Sequence, residues 1–176
     1  MHSLILSETD HITYQLYEAS TNPAKRKQRK KSFLILLALA LLVIVIGYQK
    51  EDNFLMYYGL FCSILVICFG NVYIRWRHKK HYTKYVKNKL KGLPEETVKL
   101  EISEEQIKVI DRVSDTSLKI AEIILVDEIK SHYFLKLSTG SSIVIPKSNP
   151  ALNKEVAAMI GNFNIQRRIM LDWSWR

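Results

Sequence analysis

Residues 33–48 read FLILLALALLVIVIGY and residues 54–74 read FLMYYGLFCSILVICFGNVYI, and neither stretch carries a charge. A helix that crosses a bilayer needs about 20 predominantly apolar residues. The second run meets that length. The first is slightly short, and flanking Lys and Arg side chains that snorkel let it span. Only Gln49, Lys50, Glu51, Asp52 and Asn53 separate the two, so they predict an antiparallel transmembrane hairpin. Helices of a soluble core alternate apolar and polar faces. Neither run has a polar face, and Asn71 is the strongly polar side chain of the second. A cleaved leader is not expected, because a long polar segment precedes the first run and no small-residue cleavage site follows it.

The flanks give an orientation. Lys25, Arg26, Lys27, Arg29, Lys30 and Lys31 precede the first run, and Arg75, Arg77, Lys79, Lys80, Lys84 and Lys87 follow the second. The linker holds Lys50 against Glu51 and Asp52. Short basic flanks stay on the cytoplasmic side, which predicts a multi-pass protein of the inner membrane with both termini cytoplasmic. Tyr48, Tyr73 and Trp76 end the apolar runs, where interfacial aromatics belong. The chain has 176 residues, a net charge of +9 and a pI near 9.5. Much of the basic excess lies in the two clusters beside the hairpin, where anionic headgroups account for it. The bilayer is therefore the expected partner, and nucleic acid is not.

Four segments follow. Residues 1–31 form a cytoplasmic N-terminal segment, 32–76 the hairpin, 77–93 a basic helical stalk and 94–176 a cytoplasmic domain. In the first, Leu4-Ile5-Leu6 suits a short strand. Ser7, Thr9 and Asp10 then offer N-cap oxygens to a helix with Ile12, Leu16 and Ala19 on one face, ended by Asn22-Pro23. That helix lies either among headgroups or on the soluble domain.

Within the hairpin, Ala40, Val43 and Gly47 share one face, as do Gly59, Ser63, Val66 and Gly70. Small residues allow close backbone approach, a main source of helix association in lipid. These faces are read as the hairpin seam, with a homodimer seam as the alternative. Cys62 and Cys68 are about 9 Å apart in helical rise and on different faces, so they are read as embedded hydrophobes. On the stalk, Tyr82, Val86, Leu90 and Leu93 make a narrow apolar stripe, and Gly92 with Pro94 stops it. His78 and His81 share a face there, but no carboxylate or thiol stands nearby in sequence to complete a metal site.

Beyond Glu95 the pattern changes to period two. Strands are predicted at 98–102, 106–112, within 118–128, at 132–137 and at 142–145, with turns at 103–105, 114–116 and 138–141. Asn149 and Pro150 then open a helix as N-cap and N1, with Leu152, Val156, Met159, Ile160 and Phe163 on its apolar face. The fold class is α+β: a two-helix membrane hairpin followed by one small antiparallel sheet closed by a C-terminal helix.

Three stretches carry a resemblance: Glu122-Ile123 through Val126-Asp127-Glu128, Tyr133-Phe134-Leu135, and Ile143-Val144-Ile145-Pro146-Lys147. They resemble the C-terminal domain of the YcxB-like family of bacterial membrane proteins, and the layout of the whole chain is similar too. Ile120-Ala121 departs from that pattern, where an aromatic is usual. The resemblance implies a PH-like sheet domain and no assigned activity.

The chain has no GxSxG, HExxH, P-loop or CxxC, and the expected function is non-enzymatic, with no cofactor and no metal. Asp111, Asp115, Asp127 and Glu128 are read as ordinary turn and strand-edge carboxylates, and Lys147 as a solvated strand end. Two functions are open. One is a membrane-anchored module whose sheet domain binds lipid headgroups, a second copy or a protein partner. The other is a small regulator or immunity-type protein acting on a membrane target through the hairpin. The tail from Ile169 to Arg176 holds Trp173 and Trp175. It either folds back to the inner leaflet, with Arg167, Arg168 and Arg176 near headgroups, or places its indoles on the sheet or stalk.

Overall fold

The computed structural model describes residues 1–91, 96–112 and 114–175, with Glu96 described by its backbone alone. The stop signal at Gly92 and Pro94, Leu93 of the stalk stripe, and Arg176 lie outside the described residues. The chain divides into two compact units, Met1–Tyr14 with Val86–Trp175, and Gln15–Tyr85.

The first unit holds the strands. β1 (His2–Leu6), β2 (Glu96–Ile102), β3 (Gln106–Ile110) and β4 (Asp115–Lys119) form an antiparallel sheet in that order. Its Cα register sets Leu4 opposite Val98, Leu100 opposite Val109 and Ile107 opposite Leu118. After β3 the Asp111 N–H donates to the Ser114 carbonyl at 2.9 Å, ahead of the turn expected at 114–116. The Asp111 side chain accepts from the Ser114 N–H at 2.6 Å and from its hydroxyl at 2.9 Å, the local bonding that makes Asp a turn former. A single 3-10 turn, Ile120–Glu122, then leads to a second sheet. Ile120 is fully buried, and its N–H donates to the Glu105 carbonyl at 2.9 Å.

The second sheet runs β7 (Ser142–Pro146), β6 (His132–Leu137), β5 (Ile123–Glu128), β8 (Arg167–Ile169), and β8 pairs with β5 in parallel. The expectation of one antiparallel sheet is thus corrected to two four-stranded sheets with one parallel pair. The buried corner at Ile120 splits a run that reads as continuous in sequence. β1 pairs with β2 across the intervening helices because Leu4 is a core residue of this unit.

One core joins both sheets and α4 (Pro150–Asn162), from Leu4, Leu100 and Ile107 to Val126, Leu135, Ile145, Leu152 and Val156. Asn149 caps α4, accepting from the Ala151 and Leu152 N–H groups at 3.0 and 3.3 Å. Leu152, Val156, Met159 and Ile160 face the core as expected, whereas Phe163 lies past the helix end and is 43% exposed. β6 is covered on both faces. Tyr133, Leu135 and Leu137 point to the core, while Phe134 meets the Tyr14 ring at 5.5 Å from α1 (Glu8–Thr21). The N-terminal helix thus takes the second of its two expected places, on the sheets.

The second unit is built on α2 (Pro23–Gln49) and α3 (Asn53–Leu90), the latter running on into the first unit. Asn22 ends α1 and caps α2 by accepting from the Ala24 and Lys25 N–H groups. The basic run is therefore helical and continuous with the apolar run. Both helices are long and apolar enough to cross a membrane, and 11% and 17% of their most apolar stretches is buried. A helix at the centre of a soluble core would be mostly buried.

α2 and α3 meet through small residues. A Cβ on Gly47 would stand 2.6 Å from the Met56 nitrogen, and one on Gly59 would stand 2.8 Å from the Ile44 nitrogen. A Cβ on Gly70 would meet side chains rather than backbone, the Phe33 ring at 3.1 Å and Val66 Cγ1 at 3.3 Å. Ala40 and Ser63 are buried between them, Ser63 donating to the Gly59 carbonyl at 2.9 Å. Backbone cannot yield to a new methyl group, whereas a ring can turn. We therefore predict that Gly47→Ala and Gly59→Ala each cost about 1–3 kcal/mol, the usual range for overpacking. Gly70→Ala should be nearly neutral, because its helix-propensity gain offsets a small ring shift. Thermal unfolding of the full chain in detergent checks this ranking, and an equal loss at all three positions would contradict it.

Candidate functional site

β5 buries two neighbouring carboxylates. Asp127 is 0% exposed and Glu128 6%. Successive strand residues face opposite sides, so each acid needs its own cations. On one face Arg168 grips Asp127 with two bonds, Nε to Oδ1 at 2.6 Å and Nη2 to Oδ2 at 2.7 Å, and Lys136 Nζ stands 3.3 Å from Oδ2. On the other, Arg167 holds Glu128 Oε2 through both Nε and Nη2, and Lys147 donates to Oε1 at 2.6 Å. The Lys147 ammonium also lies 4.5 Å from the Tyr133 ring centroid. Burial alone would raise the Glu128 pKa, but the Lys147 and Arg167 hydrogen bonds and charges outweigh it and hold the carboxyl below its ordinary value. Burial beside that charge pushes the Tyr133 hydroxyl up.

This network corrects two readings. Arg167 and Arg168 are committed to β5, where headgroup contact was one of the two places open to the tail. Lys147 is an internal partner, where a solvated strand end was expected. The available signal was a pair of complementary doublets, Asp-Glu in an apolar strand and Arg-Arg in the tail. The tail continues along β5, with the Met170 N–H donating to the Glu128 carbonyl at 2.8 Å. Trp173 and Trp175 are half-buried in this unit.

A second contact escaped the sequence. His132 is buried, stacked on Phe134 at 5.6 Å, and its Nε2 is 2.9 Å from Asp10 Oδ1. An ionised carboxylate only accepts, so Nε2–H donates to Asp10, and Nδ1 is hydrogen-bonded with the Ser131 hydroxyl at 2.7 Å. Asp10 also accepts from the Ser7 N–H and hydroxyl, closing the helix cap. Its burial acts upward on the pKa, yet the Ser7 and His132 contacts leave it lowered. The imidazole sits under α1 and pins it.

The same unit has an open groove of about 470 Å³ between the β2–β3 turn and α4. Ile102, Met159 and Phe163 give it an apolar floor, and Glu104 and Glu155 give it acidic walls. Glu155 also meets His2 at 2.9 Å.

In the helical unit the predicted interface residues gather where the apolar runs end. Tyr73 and Trp76 are exposed with ring centroids 6.2 Å apart, and Lys80 Nζ lies 5.1 Å from the Trp76 ring centroid. Arg26, Lys27, Lys30, Lys31, Arg75, Arg77 and Lys79 are exposed, while Lys25 and Arg29 are half-buried. Lys25 Nζ stands 5.9 Å from the Tyr82 ring centroid, and His78 stacks on Tyr82 at 6.2 Å. Burial, with Arg26 and Arg75 nearby, lowers the Arg29 pKa. Burial and then Arg29, His81 and Arg77 lower that of His78. Among the described residues no group of three or more His, Cys, Asp or Glu is placed to hold a metal. Cys62 is half-buried and Cys68 exposed, both as free thiols.

No family model, curated protein or solved structure matches the chain.

Two predictions follow from the carboxylate pair. Arg168 is 42% exposed and Asp127 is 0%, so the two partners are not equivalent. Removing the arginine takes two of the buried carboxylate's bonds and leaves it Lys136, and breaking a buried pair costs up to about 3–5 kcal/mol. Neutralising the acid leaves an arginine that can reach water. Arg168→Met should therefore lower the melting temperature more than Asp127→Asn, and the reverse order would refute this account.

The acid dependence has a definite sign. An unfolded glutamate titrates near 4.5 and folded Glu128 titrates lower. Its stabilisation is present above that ordinary value and is lost as pH falls through the folded one. Wild type should lose stability below pH 4.5. Glu128→Gln should be less stable at neutral pH and show a flatter acid limb when melting is followed from neutral to acid.

Proposed function

We propose that the chain is a membrane-anchored, non-enzymatic interaction module of YcxB-like type at the inner face of the bacterial cytoplasmic membrane. It crosses twice, keeps both termini in the cytoplasm, and presents its sheet unit to a protein partner. The observation that carries this reading is the pairing of β1 with β2. These strands flank the two apolar helices in sequence, so a folded sheet requires both flanks on one side of the bilayer, and two spans satisfy that. The basic clusters on both flanks argue that this side is cytoplasmic.

The groove favours a protein over headgroups as the ligand of the sheet unit. Glu104 and Glu155 repel anionic lipid, while Ile102, Met159 and Phe163 suit the apolar side chains of a basic peptide segment. The buried acids of β5 are spent on structure, each already bonded to arginine and lysine. The second function read from the sequence, action through the hairpin, is less favoured. The small residues of α2 and α3 are used against each other.

Two measurements test the proposal. A cysteine at Asn53 in a chain lacking Cys62 and Cys68 should react with an impermeant thiol reagent in intact cells, and one at Ser103 should not. A photoreactive residue at Phe163 should crosslink a protein in membranes, and the yield should drop at least ~10-fold on Glu104→Lys with Glu155→Lys, as like charges replace complementary ones. Labelling at Ser103 in intact cells would sink the orientation. Crosslinks to lipid alone would sink the choice of partner.

A further inference from the structure

The sheets end in β1 and β4, and in β7 and β8. The outward N–H and C=O groups of an edge strand are a template for another chain. β7 ends in Pro146, which has no N–H to give. In β8 a self-pairing centred on Arg168 would set that guanidinium against its own copy, and its side chain is already bound to Asp127. β1 is tied to α4 through His2, whose Nε2 is 2.9 Å from Glu155 Oε1. β4 is different. It reads Asp115-Thr116-Ser117-Leu118-Lys119, without proline, glycine or bulge, and all of it but Leu118 is exposed. Among the described residues it pairs with β3 alone. Its outward groups follow from the ladder, in which bonded and non-bonded pairs alternate. The Ile120 N–H donates to the Glu105 carbonyl and the Asp111 N–H to the Ser114 carbonyl, each at 2.9 Å. The register between these bonds is unbroken, so Thr116 and Leu118 bond inward to Val109 and Ile107. Asp115, Ser117 and Lys119 therefore turn their N–H and C=O groups outward.

We propose that β4 is a pairing edge for a second copy of this chain, joined antiparallel in the register centred on Ser117. That register sets Ser117 opposite Ser117 of the second copy, Asp115 opposite its Lys119, and Thr116 opposite its Leu118. The outward residues then meet one another as bonded pairs, so their N–H and C=O groups are all used along the strand. The charges match as well. Opposite charges directly across an antiparallel pair stabilise it, and like charges oppose it. Asp115 already holds Lys108 of its own chain at 3.1 Å, with its side chain 56% exposed. A carboxylate accepts from several donors, so it can hold Lys119 of the copy too. Facing serine hydroxyls add a hydrogen bond at the centre. The two-fold axis through Ser117 makes the contact isologous, and pairing stops at two copies. Edges this short bury little area, which makes the contact weak and dependent on local density. The surface is separate from the groove and does not rest on what the groove binds.

The test uses the full chain with Cys62→Ala and Cys68→Ala, oxidised in the cell fraction that holds it. Adding Ser117→Cys should give a disulfide-linked dimer. Bonded antiparallel pairs have Cα atoms about 5.5 Å apart, inside the range of about 4.4–6.8 Å that a disulfide spans. Thr116 is exposed on the same edge, but its counterpart lies diagonally across, with Cβ atoms about 7–8 Å apart. Thr116→Cys should therefore link at least ~5-fold less, because a disulfide needs Cβ atoms within about 4.5 Å. Lys119→Asp in the Ser117→Cys chain sets a carboxylate opposite Asp115 at both ends of the pair and should cut the dimer yield ~3-fold or more. Its melting temperature should stay near that of the parent, as expected for an exposed substitution. The comparison of Ser117→Cys with Thr116→Cys stands whatever Lys119→Asp does to folding. Equal linking at the two positions would overturn the proposal, as would a yield that Lys119→Asp leaves unchanged. A Ser117→Cys product that contains a different protein in place of a second copy, or no linked product at all, would overturn it too.

Discussion

Asp127 and Glu128 stand side by side and buried on β5, and a charge taken out of water has to be met where it lies. Because strand residues alternate, one acid cannot borrow the other's partner. Each recruits an arginine and a lysine of its own. Those demands fix much of the unit. The two arginines must be consecutive, which sets a short strand parallel to β5 and its register. Lys136 and Lys147 tie in β6 and the segment after β7. The chain end is therefore ordered by electrostatics, since β8 itself is exposed and contributes little apolar burial.

A different constraint rules the helical unit. Backbone-to-backbone approach at Gly47 and Gly59 leaves no room for side chains, so the helices are held at contact distance along their length. Contact at one end of such a pair dictates proximity at the other.

Much of this was legible in the sequence. The apolar runs, the small-residue faces and the capped C-terminal helix each depend on local pattern, and local pattern is what a sequence displays. Ala40, Gly47, Gly59, Ser63 and Gly70 are all buried. What escaped depends on partners far apart in the chain. Asp10 and His132 belong to different ends of it, and neither has a periodicity that points to the other. The Asp-Glu doublet reads as a strand edge until β8 is known to lie beside it. The division into two sheets escaped because one buried isoleucine turns the corner, with neither glycine nor proline to mark it.

The pairing of β1 with β2 also bears on how the protein is made. The first strand leaves the ribosome long before its partner, and the segment from Leu6 to Glu96 must be synthesised in between. At about 5–20 residues per second that wait lasts roughly 5–20 s, during which an apolar strand edge is unpaired. If α2 and α3 enter the bilayer during this interval, insertion brings the two flanks back to the same surface and shortens the search that closes the sheet. Membrane integration would then act as a folding step for the part of the chain that never enters lipid. A hairpin slow to insert would expose its consequences first as proteolysis at the N-terminus.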